Sequence, residues 1–236
     1  MANSEKSYMD RLGRWMLLVE VVAKCEPVFQ PADDSLTEVN LRAFRTVLES
    51  ANEAVDALEV DYTVAAGDRR ALVKTLRSSA TQALGYVKSN KAWATPFRAV
   101  KMAADKLRNY HARPRRTGDA LSPEKPSRTR GDQAYVELES HLSALIAAVE
   151  ACPGYAPPGE AIQLATLEAQ RTQFRALNEL TTQLAGQLTT ARETRRRLYD
   201  GDEDSLAVKF QAVKQAVKGQ YGPQSAACAM ARRIHC

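Results

Sequence analysis

Apolar positions in this chain step by threes and fours almost from end to end. Leu41, Phe44, Val47, Leu48, Ala51, Val55, Leu58 and Tyr62 fall on one stripe of a helix, and Arg42, Arg45, Glu49, Glu53, Asp56 and Glu59 cover the other side. This spacing predicts a core-facing helix of about seven turns. Ile162, Leu164, Leu167, Phe174, Leu177, Leu180, Leu184 and Leu188 repeat the pattern, and so do Leu206, Phe210, Val213 and Val217. No segment alternates convincingly with period two, so the expected fold class is all-α.

Proline, glycine and short polar residues punctuate these stripes. Pro27 and Pro31 end one helix, and Asp33, Asp34 and Ser35 offer an N-cap to the next; Pro153, Gly154, Pro157, Pro158 and Gly159 form a second break of the same kind. Gly67-Asp68 and Gly201-Asp202 predict turns inside the long helical stretches.

The punctuation falls in the same order twice, and sliding the chain on itself finds an internal repeat. At an offset of 127 residues Tyr8 meets Tyr135, Leu18 meets Leu145, Val22 meets Val149 and Cys25 meets Cys152. At 126 Pro31 meets Pro157, Leu41 meets Leu167, Asn52-Glu53 meets Asn178-Glu179, Leu58 meets Leu184, Arg69-Arg70 meets Arg195-Arg196 and Leu72 meets Leu198. The offset then grows to 130, pairing Val87-Lys88 with Val217-Lys218, and each half closes on a segment started by a proline, Pro96 or Pro223. The expected architecture is an antiparallel helical bundle built from two pseudo-symmetric repeats by internal duplication. Residues 1–107 form the first repeat, 108–132 a basic linker or loop and 133–236 the second repeat; the repeats fold as two bundles or around one shared core.

Composition adds limits. With 236 residues, 44% of them hydrophobic, the chain buries a substantial core without disulfides or metals. Its net charge of +5 is mild, but the distribution is uneven: Arg108 to Asp132 holds seven basic and three acidic side chains, which is +4 of the total. This Pro- and Arg-rich stretch reads either as a solvated linker or as an arm for phosphates or an acidic surface. Its candidate polyanion contacts are Arg113, Arg115, Arg116, Arg128 and Arg130, with only Tyr110 and His111 to stack on a base.

Cys25, Cys152, Cys228 and Cys236 have neither CxxC spacing nor the density of a disulfide scaffold. The start MANSEKSYMDRLGRW lacks the pattern of a signal peptide, and Trp15 to Ala23, interrupted by Glu20, falls short of the ~20 apolar residues that cross a bilayer. A cytoplasmic protein with no membrane partner is the expectation.

Catalytic chemistry has little to stand on. The sequence has no phosphate loop, dinucleotide fingerprint, nucleophile elbow or HExxH pair, and none of His111, His141 and His235 has a glutamate three residues before it, as a di-iron bundle requires. Cys228, His235 and Cys236 lack a second cluster to complete a zinc site. No cofactor, metal or catalytic residue is expected. Cys25 and Cys152 read as small buried residues at helix ends, and Arg69-Arg70 and Arg192 to Arg197 as cations complementing helix C-termini.

Near the end, Val213-Lys214-Gln215-Ala216-Val217-Lys218-Gly219-Gln220-Tyr221-Gly222-Pro223-Gln224-Ser225 resembles the VKxYVxSxFGxxS ending of a family of uncharacterised all-helical bacterial proteins. Pro96-Phe97 with Arg98 and Lys101, and the run from Thr190-Ala191-Arg192 to Arg197-Leu198-Tyr199, fit the same family. Ala216 and Tyr221 replace its usual aromatic residues. The resemblance implies an all-helical architecture and transfers no activity or site residue.

The function expected is that of a non-catalytic structural or self-assembly protein, with a homo-oligomer or filament formed head to tail through helical faces. Trp15, Trp93 and Phe97, near predicted helix ends, are its candidate assembly contacts. The alternative is a binding module for nucleic acid or another polyanion, or for an acidic protein, carried by the arginine-rich loop.

Overall fold

A computed structural model describes the backbone of residues 2–108, 133–201 and 203–235, and the side chains of 8–108, 135–201 and 203–235. Among the described residues there are seven α-helices and no strand. They are α1 (Ala2–Ala23), α2 (Glu38–Ser89), α3 (Ala94–Leu107), α4 (Gln133–Glu150), α5 (Leu164–Arg196), α6 (Leu206–Tyr221) and α7 (Ala226–Arg233). Short 3-10 turns, Asp34–Leu36, Lys91–Trp93 and Glu160–Ile162, lead into α2, α3 and α5. The Asp33 side chain accepts from the Ser35 N–H at 2.9 Å, so the cap expected after Pro31 sits on the 3-10 turn that leads into α2. Hydrogen bonding from the Ser35 side chain, followed by its backbone N–H, holds the Asp33 carboxyl below its ordinary pKa.

The turn predicted at Gly67-Asp68 does not form. α2 is continuous for 52 residues, which at 1.5 Å per residue is ~78 Å. A helical glycine costs only about 1 kcal/mol relative to alanine. The buried stripe Ala65, Arg69, Leu72, Val73 and Leu76 runs on past Gly67 and outweighs that cost. The corresponding stretch of the second half is interrupted, because α5 ends in the π-helical turn Arg197–Gly201 and α6 starts after Ser205. The offset that aligns the two sequence halves steps from 126 at Leu198 to 130 at Val217, a span that contains this break.

The chain divides into two compact units, and these are not the two sequence halves. Unit 1 combines Met1–Asp61 with Leu184–Cys236, and unit 2 is Tyr62–Gln183. The divisions fall inside α2 and α5, so each unit takes a helix pair from one half and the remainder from the other.

In unit 1, α1 packs on α6 and α7. Trp15 is fully buried at its centre, with its ring edge-on to Phe44 at 5.7 Å and tilted to Phe210 at 6.3 Å, and its Nε1–H donates to the Leu41 carbonyl at 3.3 Å. Leu18, Leu48 and Val213 close the core around it. In unit 2, α3 packs on α4. Leu76, Val100, Leu107, Leu142, Leu145 and Phe174 form the core, and Trp93 Nε1–H donates to the Pro153 carbonyl at 3.1 Å.

Trp15 and Trp93, expected at an assembly surface, are therefore core residues at 0% and 5% exposure. Each places a large ring in apolar surroundings and its N–H on a backbone carbonyl, the arrangement a buried indole needs. Phe97 is half-buried against the unit 2 core.

Candidate functional site

The interruption between α5 and α6 gathers the polar side chains of unit 1. Tyr199, within the π-helical turn, is fully buried, and its hydroxyl accepts from Asn52 Nδ2 at 3.0 Å. Arg11 of α1 holds the turn from outside by donating to both carboxylate oxygens of Asp200, at 3.0 and 2.8 Å, and to the Tyr199 carbonyl at 3.0 Å. Its fork satisfies a carbonyl released by the irregular turn and a neighbouring carboxylate together. The Tyr8 ring meets the Tyr199 ring edge-on at 4.7 Å, and the Arg195 guanidinium lies over the Tyr8 ring, 4.5 Å from its centroid. Burial pushes the Tyr199 hydroxyl above its ordinary pKa, against a smaller opposing pull from Asn52.

Unit 2 repeats one element of this arrangement. Arg69 is 8% exposed and lies 3.8 Å from the Tyr135 centroid. Arg195 is 6% exposed, and the Nε of both arginines has no hydrogen-bond partner. The basic pairs read from the sequence as complements of helix ends thus separate: Arg195 and Arg196 are in the last turn of α5, whereas Arg69 is buried in mid-helix on an aromatic face. Asn178, which the repeat aligns with Asn52, meets no hydroxyl, and both its polar side-chain atoms are buried without a partner. The residue aligned with Tyr199 is Val73.

Cavities open in unit 1 among the described residues. One of ~280 Å³ lies at the helix break, lined by Phe44, Arg197, Leu198, Asp204, Ser205 and Lys209. Another of ~420 Å³ lies between α6 and α7, with Lys214, Lys218, Cys228, Ala231 and Arg232 among its lining residues. Lys214 is already engaged, donating to the Ile234 carbonyl and lying 5.0 Å from the Phe210 ring.

Cys25 and Cys152 are buried, and each thiol donates to the carbonyl one turn back, Val21 at 3.2 Å and Ala148 at 3.6 Å. Burial raises both thiols above their ordinary pKa, which disfavours thiolate. Among the described residues no group of three or more His, Cys, Asp or Glu is placed to hold a metal ion, and no described helix is long and apolar enough to cross a membrane. Arg113, Arg115, Arg116, Arg128 and Arg130 lie outside the described residues, as does Cys236.

Sequence reading missed the Ser205 cavity, for which the step from 126 to 130 was the available signal. It also missed the Arg–Tyr stacks, although Tyr8, Tyr135, Arg69 and Arg195 are all repeat-matched positions. Compared with known proteins, the chain matches no family model, no curated protein and no solved structure.

Proposed function

We propose that the chain is a non-catalytic structural protein, a duplicated antiparallel helical bundle that assembles with further copies of itself. The outer surface of α2 carries this reading. Val60 and Val64 are 62% and 58% exposed one turn apart, each about 140° round the helix from a buried residue, Val55 and Arg69 respectively. Glu53, Asp56, Asp61 and Asp68 share this stretch, while Glu49 and Glu59 are paired with Arg45 and Arg192. The same chain concentrates +4 in residues 108–132, so the acidic, valine-bearing helix of one copy complements the basic arm of the next. Such a contact joins two different surfaces, and propagates instead of closing as a dimer.

Support for the duplication comes from the matched 3-10 turns Asp34–Leu36 and Glu160–Ile162, the matched buried thiols, and the reciprocal stacks of Arg69 on Tyr135 and Arg195 on Tyr8. In both stacks the arginine and tyrosine come from opposite halves.

Sedimentation velocity over a concentration series tests the proposal. Large species are expected at low salt, reduced by high salt, by the double substitution Val60→Gln and Val64→Gln, and by Arg113→Gln with Arg115→Gln and Arg116→Gln. A monomer at every concentration would sink it. The second reading, a polyanion module, rests on the same basic segment; it predicts retardation of short DNA or RNA at low salt, lost in the arginine variant.

A further inference from the structure

We infer that the cavity at the α5–α6 break is a binding site for a phosphate monoester with a small apolar body. The cavity lies beside the start of α6, with Ser205 and Lys209 among its lining residues. The first N–H groups of α6, a 16-residue helix, have no acceptor within the helix and carry the positive end of its dipole. Ser205 occupies the N-cap position but does not cap: its side chain makes no bond to the α6 backbone. The residue is 1% exposed, lines the cavity, and its Oγ has no hydrogen-bond partner. A buried hydroxyl left unpaired is costly, and rotation of the Ser205 side chain toward the cavity lets a phosphate oxygen satisfy it.

Two cations line the same space. The Lys209 side chain is 12% exposed, packs 5.4 Å from the Phe44 ring, and donates to Asp204 Oδ1 at 3.1 Å. Asp204 is 89% exposed, so its carboxylate turns to water when a dianion takes its place. Arg197 is engaged only by the exposed Glu193, at 3.3 Å. Phe44 and Leu198 supply the apolar wall against which the body of the ester lies. A volume of ~280 Å³ admits a small ester.

The duplication makes the site specific to one half. The residues that the repeat aligns with Arg197, Ser205 and Lys209 are Ala71, Thr75 and Ser79, inside the uninterrupted α2, where the N–H groups of a helix start do not exist. The π-helical turn and this cavity coincide, and π-helical irregularities occur often at functional sites.

The test is calorimetric titration of the full chain with phenyl phosphate and with inorganic phosphate. Saturable binding of phenyl phosphate is expected, tighter than that of inorganic phosphate. Ser205→Ala and Lys209→Gln should each weaken it about tenfold, in keeping with loss of one charge-assisted hydrogen bond. Asp204→Asn should tighten it by releasing Lys209, a gain that misfolding cannot imitate. Lys218→Gln, at the other cavity, should leave it unchanged. The inference is overturned by absence of saturable binding, by binding that Ser205→Ala and Asp204→Asn leave unaltered, or by inorganic phosphate binding as tightly as the ester.

Discussion

The Asn52–Tyr199 hydrogen bond offers a direct measure of what a buried polar pair contributes at the helix break. Both residues are buried, Asn52 at 5% exposure and Tyr199 fully, and the donor–acceptor distance is 3.0 Å. Tyr199→Phe removes the acceptor while preserving the ring that packs on Tyr8. Asn52 Oδ1 already has no partner, so the substitution leaves both ends of a buried amide without a strong acceptor or donor. Its Nδ2 retains only Met9 Sδ at 3.8 Å, a weak acceptor. The expected loss is about 1–3 kcal/mol. Asn52→Leu strands the hydroxyl instead and should cost a similar amount, while the double variant removes both polar groups and should cost less than the sum, with a coupling energy of about 1–2 kcal/mol. Asn178→Leu is the internal control. Its amide has no partner to lose, so the same change in unit 2 should stabilise by about 1 kcal/mol. Each unit contains one tryptophan, Trp15 or Trp93, so urea unfolding followed by fluorescence in Trp93→Phe and Trp15→Phe backgrounds reads the units separately. Strict additivity of Asn52→Leu and Tyr199→Phe would refute the assignment of a coupled buried pair.

Two further expectations follow from local geometry. A Cβ at Gly67 would meet nothing within 4 Å, so Gly67→Ala should stabilise the chain by roughly 0.5–1 kcal/mol in thermal or urea unfolding; a loss would mean that the backbone turns there after all. Burial, followed by the neighbouring Cys152 and Tyr86, pushes the Tyr155 hydroxyl from its ordinary value of 10.0 up to about 12. The unfolded chain then releases this proton at lower pH than the folded one, so the stabilising contribution is complete below pH ~10 and disappears as pH rises through ~12. Unfolding of unit 2 monitored by Trp93 should show this alkaline decline, and Tyr155→Phe should flatten it.

The helical class, the capped entry to α2 and the position of the second break were legible because each depends on residues close in sequence. Leu41 to Tyr62 state their helical period, although Val47 of the predicted core stripe is exposed, Asp33 caps two residues ahead, and Gly201 ends its helix. Gly67 shows where local reading fails. The same residue type that ends a helix at Gly201 is absorbed where a buried stripe runs on through Arg69 and Leu72.

Tertiary structure alone decided which segments share a core. The repeat offset relates Tyr8 to Tyr135 and Arg69 to Arg195, but pairing by similarity says nothing of contact. In space each arginine stacks on the tyrosine of the other half, because the units divide within α2 and α5 and not between the sequence halves. The same packing enclosed Trp15 and Trp93, since a sequence gives the size and polarity of a side chain but not the neighbours that exclude water from it.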